Sequence, residues 1–198
     1  MLTTQIGMNS HSIKLVPYDP QWADVFECDK ERLQRHLHKY KDIKIHHVGS
    51  TSMPTVPKAK PVIDILVGAD NYSDLVKMGY KIHDKGFRSK WFRKQDDCGQ
   101  LWRATDSWLY MGVFEDCNSW MRTNNIHFAT FSGSQYDNFL LFKRYLIEHP
   151  DEAQRYFELK EKMAQKYSCS SCSYSAGKQK YIETINTKAR QLYAGQEL

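Results

Sequence analysis

Val62-Ile63-Asp64-Ile65-Leu66-Val67 is apolar at every position but one. A run this short and this hydrophobic reads as a nearly buried strand inside a sheet. An ionised carboxylate in such a strand is costly to bury alone. Asp64 should therefore meet a metal ion, a lysine or backbone donors, with Lys60 a candidate lysine, or else lie at a strand end facing water. No other feature limits the chain as tightly, because it asks for an interior strand with a polar group placed where something can pair with it.

Just upstream, His47-Val48-Gly49-Ser50-Thr51-Ser52 reads as a strand ending in a tight turn. Gly49 permits backbone geometry that other residues resist and lets a ligand approach closely. Ser50, Thr51 and Ser52 add hydroxyl donors, and free backbone N–H groups at a helix start favour phosphate. The plainer alternative is a strand-to-helix turn capped by serine. Paired with Asp64, the turn suggests a site for phosphate oxygens and the metal that accompanies them.

The chain has 198 residues, which suggests one domain. It carries a net charge of +5, compatible with an anionic ligand but too scattered to argue for nucleic acid, which is an unlikely partner. With 12 Tyr and 5 Trp it has ample apolar anchors for a core. Five cysteines include a Cys169-Ser170-Ser171-Cys172 pair without a second such pair or nearby histidines, so zinc is not expected and the thiols are read as reduced. Met1 to Ser12 is polar and does not read as a secretory leader. No stretch approaches the ~18 apolar residues of a membrane span. A cytoplasmic protein is expected.

Residues 1–12 read as a loose tail, and 13–198 as a single domain whose part 134–198 is helical. Asp19-Pro20 is a helix start, followed by an apolar stripe of Trp22, Phe26, Leu33 and Leu37 through about Tyr40. Strands are expected at Ile13 to Val16, Ile43 to Val48, Val62 to Val67, Tyr80 to Ile82, Lys90 to Lys94, Trp108 to Val113 and Ile126 to Phe131. Asp96 to Ser107 reads as a hairpin loop or an irregular strand, and Asn71 to Met78 as a short helix. Ser134 to His149, Glu152 to Tyr167 and Lys178 to Tyr193 have helical spacing, with Ser168 to Ser175 as a linker. The fold class is α+β: a mixed β-sheet covered by helices.

His47 and His127 are candidate acid–base groups, His46 a weaker one. Lys60, Arg93 and Lys178 are candidate anion clamps. Each of these residues also has an ordinary structural reading, as a satisfied core histidine or a solvated charge. No Walker loop, Rossmann fingerprint, nucleophile elbow or H-E-x-x-H helix occurs.

Several short pieces then combine. Val16-Pro17-Tyr18-Asp19-Pro20-Gln21-Trp22 comes first, then His47 to Pro54 and Lys60 to Ile65. Phe92-Arg93-Lys94, Ile126-His127-Phe128, Phe142 to Leu146 with His149-Pro150, and Tyr174 to Lys178 follow in order, over roughly residues 14 to 190. In this pattern the chain resembles the GrpB family of the nucleotidyltransferase-like fold group. The resemblance implies a nucleotidyltransferase-like sheet, a Gly49–Ser52 phosphate turn and Asp64 as a metal-binding carboxylate, with Mg²⁺ as the cofactor. It implies a nucleotide, such as a nucleoside triphosphate, or another anionic small molecule as ligand, and transfer of a nucleotidyl or related group to a small acceptor as the reaction. The fold group's second carboxylate would fall at Leu66, and a later acid at His127. A catalytically inactive binding module is therefore the alternative.

Overall fold

The computed structural model describes residues 4–9, 12–71, 73–75, 77–78, 91–92, 108–114 and 121–196. Asp19 starts the first helix as its sequence suggests: its Oδ1 accepts from the Gln21 N–H at 2.9 Å, and α1 runs Gln21–Leu37. Trp22, Phe26, Leu33 and Leu37, spaced along one stripe, are all buried.

That stripe packs on a mixed six-stranded sheet. Its strands are β1 (Met8–Asn9), β3 (Lys44–Val48), β5 (Ile63–Ala69), β6 (Trp91–Phe92), β7 (Trp108–Phe114) and β8 (Met121–Thr130), and the order is β3-β5-β8-β7-β6 with β1 beside the start of β8. β3 is antiparallel to β5, β5 is parallel to β8, and β7 is antiparallel to β8. A separate two-stranded ladder joins β2 (Val16–Pro17) to β4 (Lys58–Ala59).

One face of the sheet, through Ile63, Ile65, Val67, Ile126 and Phe128, buries the α1 stripe. The other face, through Val48, Leu66 and Ala129, meets α2 (Ser134–Glu148) at Tyr136, Phe139 and Leu140. α3 (Pro150–Lys166) and α4 (Ser171–Leu192) pack with α2 in a second core around Phe142, Leu146, Tyr156, Phe157 and Ile185. The expected α+β plan is therefore present, with Pro150 separating α2 from α3 at the first position of a new helix.

Three expectations change. The tail is not wholly loose: Met8 pairs with Arg122, Gly7 N–H donates to the Pro61 carbonyl, and Met8 is buried with Val62, Met163 and Tyr174. The last helix starts at Ser171, well before Lys178. Ser170 caps it by accepting from the Ser173 N–H, and buried Tyr174 anchors its first turn, so most of the supposed linker is helix. Among the cysteines, Cys28 and Cys169 are free, but Cys172 is disulfide-bonded, which corrects the reading of all five as reduced thiols. The strand at Tyr80 to Ile82 and the hairpin loop or irregular strand at Asp96 to Ser107 lie outside the described residues. Among the described residues no helix is long and apolar enough to cross a membrane.

Candidate functional site

Gly49 sets the geometry. It has φ 67°, and a Cβ there would collide with the Asp64 carboxylate, 2.7 Å from its Cγ. Only glycine lets the chain turn here while the acid stands against its backbone. Register explains the proximity, because Val48 at the end of β3 pairs directly with Asp64 near the start of β5. The Gly49 turn then continues as a 3₁₀ turn over Ser50–Ser52.

The three hydroxyls of that turn do different work. Thr51 is buried; its Oγ1 lies 3.0 Å from His47 Nε2 and 3.5 Å from the Val62 carbonyl. Ser52 Oγ donates to the Gly49 carbonyl at 2.8 Å. Both side chains hold the turn together. Ser50 instead faces Tyr156 of α3.

Strand alternation sorts the histidines. Asp64 pairs with Asn125 and Leu66 with His127 across β5 and β8, so Asp64, Asn125 and His127 share one face. His47 pairs with Ile65 and points to the other face, where it stacks on Phe26 of α1 at 4.7 Å. Burial and Lys143 push His47 down to about 4, against the pull of Asp64, so it is neutral at pH 7. The structure therefore sets the His47 ring on the sheet face opposite Asp64, against Phe26 and at the edge of a cleft lined also by Lys143. His46 is paired with the Tyr136 hydroxyl at 2.7 Å.

Asp64 Oδ1 accepts from Asn125 Nδ2 at 2.6 Å, and His127 Nε2 lies 3.7 Å away. Burial pushes the Asp64 carboxyl up, but His127, Asn125 and Lys60 together outweigh it, and the acid sits below its ordinary value. The side chain keeps 24% of its surface exposed, so it lies at an opening and not in a sealed core.

Around this acid stand three lysines. Lys60 Nζ lies 4.9 Å from the centroid of the Tyr174 ring, and Lys178 Nζ lies 4.2 Å from the same centroid. Such contacts hold a cation in place without neutralising it. Lys160 is 2% exposed; its Nζ donates to the Lys58 carbonyl at 2.7 Å and lies 5.4 Å from the Tyr156 ring. Burial and Arg122 pull Lys60 down to about 8, against Asp64. Burial and Lys60 pull Lys178 down to about 7, again against Asp64. Burial, with Lys178 and Lys60, holds Lys160 well below its ordinary value. Burial pushes the Tyr156 and Tyr174 phenols up, so both stay neutral.

Gly49, Ser50, Lys60, Asp64, His127 and Lys178 thus lie in one neighbourhood. Arg93 lies outside the described residues. Sequence reading missed Lys160, Tyr156 and Asn125. The signal for Lys160 was present: Ala153, Tyr156, Phe157, Lys160 and Met163 form the buried stripe of α3, and a lysine on such a stripe is out of place unless it has a partner. A divalent cation fits these residues poorly. Asp64 offers a carboxylate already engaged by Asn125, the lysines repel a dication, and no cluster of three metal-ligating side chains exists among the described residues. A separate cleft of about 400 Å³ follows the outer edge of β3, lined by Phe26, His46, Thr51, Ser52 and Lys143 among others.

The family profile described as "GrpB protein" matches residues 12–188. The chain belongs to the GrpB family. Among curated GrpB-like relatives, YqkA of Bacillus subtilis is 28% identical over 92% of this chain. That alignment covers 49% of YqkA, so this chain spans about half of the relative's length. The crystal structure of GrpB from Enterococcus faecalis superposes with a TM-score of 0.72 at 26% identity, covering 91% of this chain and 99% of the other. The Cid1 poly(U) polymerase superposes with a TM-score of 0.51 at 12% identity, covering 81% of this chain and 50% of Cid1. At that identity the likeness is one of fold, and the fold is nucleotidyltransferase-like.

Proposed function

We propose that this GrpB-family chain binds a phosphorylated small molecule against the Gly49 turn, with a nucleotide as the ligand class the fold favours. The observation that carries the reading is a cluster of lysines beside one partly exposed acid: Lys60 and Lys178 lie over the Tyr174 ring, Lys160 lies over the Tyr156 ring, and Asp64 acts on all three. Ammonium groups crowded this way are relieved by an anion. Ser50 supplies a hydroxyl beside them, on the turn that Gly49 permits. Cid1 has been solved with MgATP bound, which makes a nucleoside triphosphate the first ligand to test.

The test is thermal stabilisation of the full chain by ATP, by inorganic pyrophosphate and by adenosine. The reading expects the two phosphorylated compounds to raise Tm by mass action and adenosine to leave it unchanged. A chain indifferent to every phosphorylated compound contradicts it.

A second reading, nucleotidyl transfer to a small acceptor, is favoured by the fold likeness to Cid1. In that reaction the acceptor oxygen attacks the α-phosphorus, pyrophosphate leaves, and the acceptor proton passes to a base. His127, beside Asp64, is the histidine in position for that proton. Release of pyrophosphate from a nucleoside triphosphate in the presence of candidate acceptors measures it directly, and binding without any release identifies a binding module.

A further inference from the structure

We infer that this chain neutralises its phosphate ligand with lysine ammonium groups in place of a divalent cation, so that binding requires no Mg²⁺. The inference rests on the anion-binding reading above and says how that site works.

Phosphoryl sites that use metal ions gather carboxylates to hold them. The described residues here do the reverse. Three lysines gather near one acid, Asp64, which acts on each of them. A dication bound at Asp64 would lie in the field of those ammonium groups, and Asp64 already spends Oδ1 on Asn125. Burial pulls Lys60 down to about 8 and Lys178 down to about 7, and an anion lying between them restores their hold on the proton. A phosphomonoester or the terminal phosphates of a nucleotide would supply that charge.

The placement of the lysines argues that they serve a ligand and not the fold. Lys160 occupies a position on the buried stripe of α3 where leucine or methionine would pack at less cost. Its bond to the Lys58 carbonyl uses one of three ammonium donors. Lys60 and Lys178 lie over the same Tyr174 ring, each within 5 Å of its centroid, and so are held ready. Tyr174 gives an independent pointer. It is completely buried, and its hydroxyl has no hydrogen-bond partner among the described residues, although Asp64 and Tyr156 are within electrostatic reach. A phenol left this way costs stability unless something accepts from it. A phosphate oxygen beside Lys60 and Lys178 is a suitable acceptor.

The experiment is isothermal titration of the full chain with ATP and with inorganic pyrophosphate, first in EDTA and then in excess Mg²⁺. Binding is expected in EDTA, with affinity unchanged or weakened by Mg²⁺. Asp64→Asn removes the carboxylate a dication would need, and binding in EDTA is expected to persist, with no gain on adding Mg²⁺. Lys178→Gln should weaken it about tenfold or more, with Lys178→Arg recovering part of the loss. Circular dichroism establishes that each variant is folded. Binding only in Mg²⁺, abolished by Asp64→Asn, overturns the inference and leaves the anion-binding reading standing. Absence of binding in both conditions overturns both.

Discussion

At the residue scale the account begins with Gly49 and Asp64, which need each other. The turn has positive φ, and the space a Cβ would take is filled by the Asp64 carboxylate. Gly49→Ala is expected to cost about 2–3 kcal/mol, from backbone strain and the displaced acid together. Denaturant unfolding measures it, and a loss under about 0.5 kcal/mol would mean the turn adapts freely. The same variant should weaken ATP binding, since a displaced turn carries the Ser50 hydroxyl away from the lysines. This pair was legible in the sequence because a lone acid in an apolar run and a Gly-Ser turn are both local signals. His47 was not. It precedes the turn, but its direction depends on strand parity, and parity puts it on Phe26 and away from Asp64. The hydroxyls of Thr51 and Ser52 follow a similar rule: composition shows that they exist, and only the folded turn shows that they bond internally.

At the scale of elements, strand and helix types were readable from periodicity, while their ends followed capping and packing. The Ser-rich stretch before Lys178 looks like a linker by composition. Ser170 instead supplies a cap, and Tyr174 a buried anchor, and helix results. Helix α3 holds the more consequential surprise. Its stripe is Ala153, Tyr156, Phe157, Lys160 and Met163, and the lysine hides among apolar neighbours in an otherwise ordinary amphipathic pattern. If Lys160 serves a ligand, the fold gains by losing it. Lys160→Met is expected to raise stability by about 1 kcal/mol, a Tm increase of about 2–4 °C, while weakening anion binding about tenfold. A Tm that falls by several degrees with binding unchanged would assign the lysine to the fold alone.

At the scale of the whole molecule, the sheet brings together groups far apart in sequence. Asp64 lies on β5 and Asn125 and His127 on β8, Lys60 follows β4, Lys160 projects from α3 and Lys178 from α4. No local window of sequence contains this cluster, which is why the reading found Lys60 and Lys178 as isolated candidates and missed that they converge. The nucleotidyltransferase-like fold brings these strands and helices together, and Lys60, Lys160 and Lys178 lie where they meet. The most direct measurement is a crystal structure of the full chain grown with ATP in EDTA. The account predicts phosphate oxygens within hydrogen-bond distance of the Lys60 and Lys178 ammonium groups, beside Ser50 and the Gly49 turn. A nucleotide seated instead in the cleft along the outer edge of β3, with the lysine cluster bare, would contradict it.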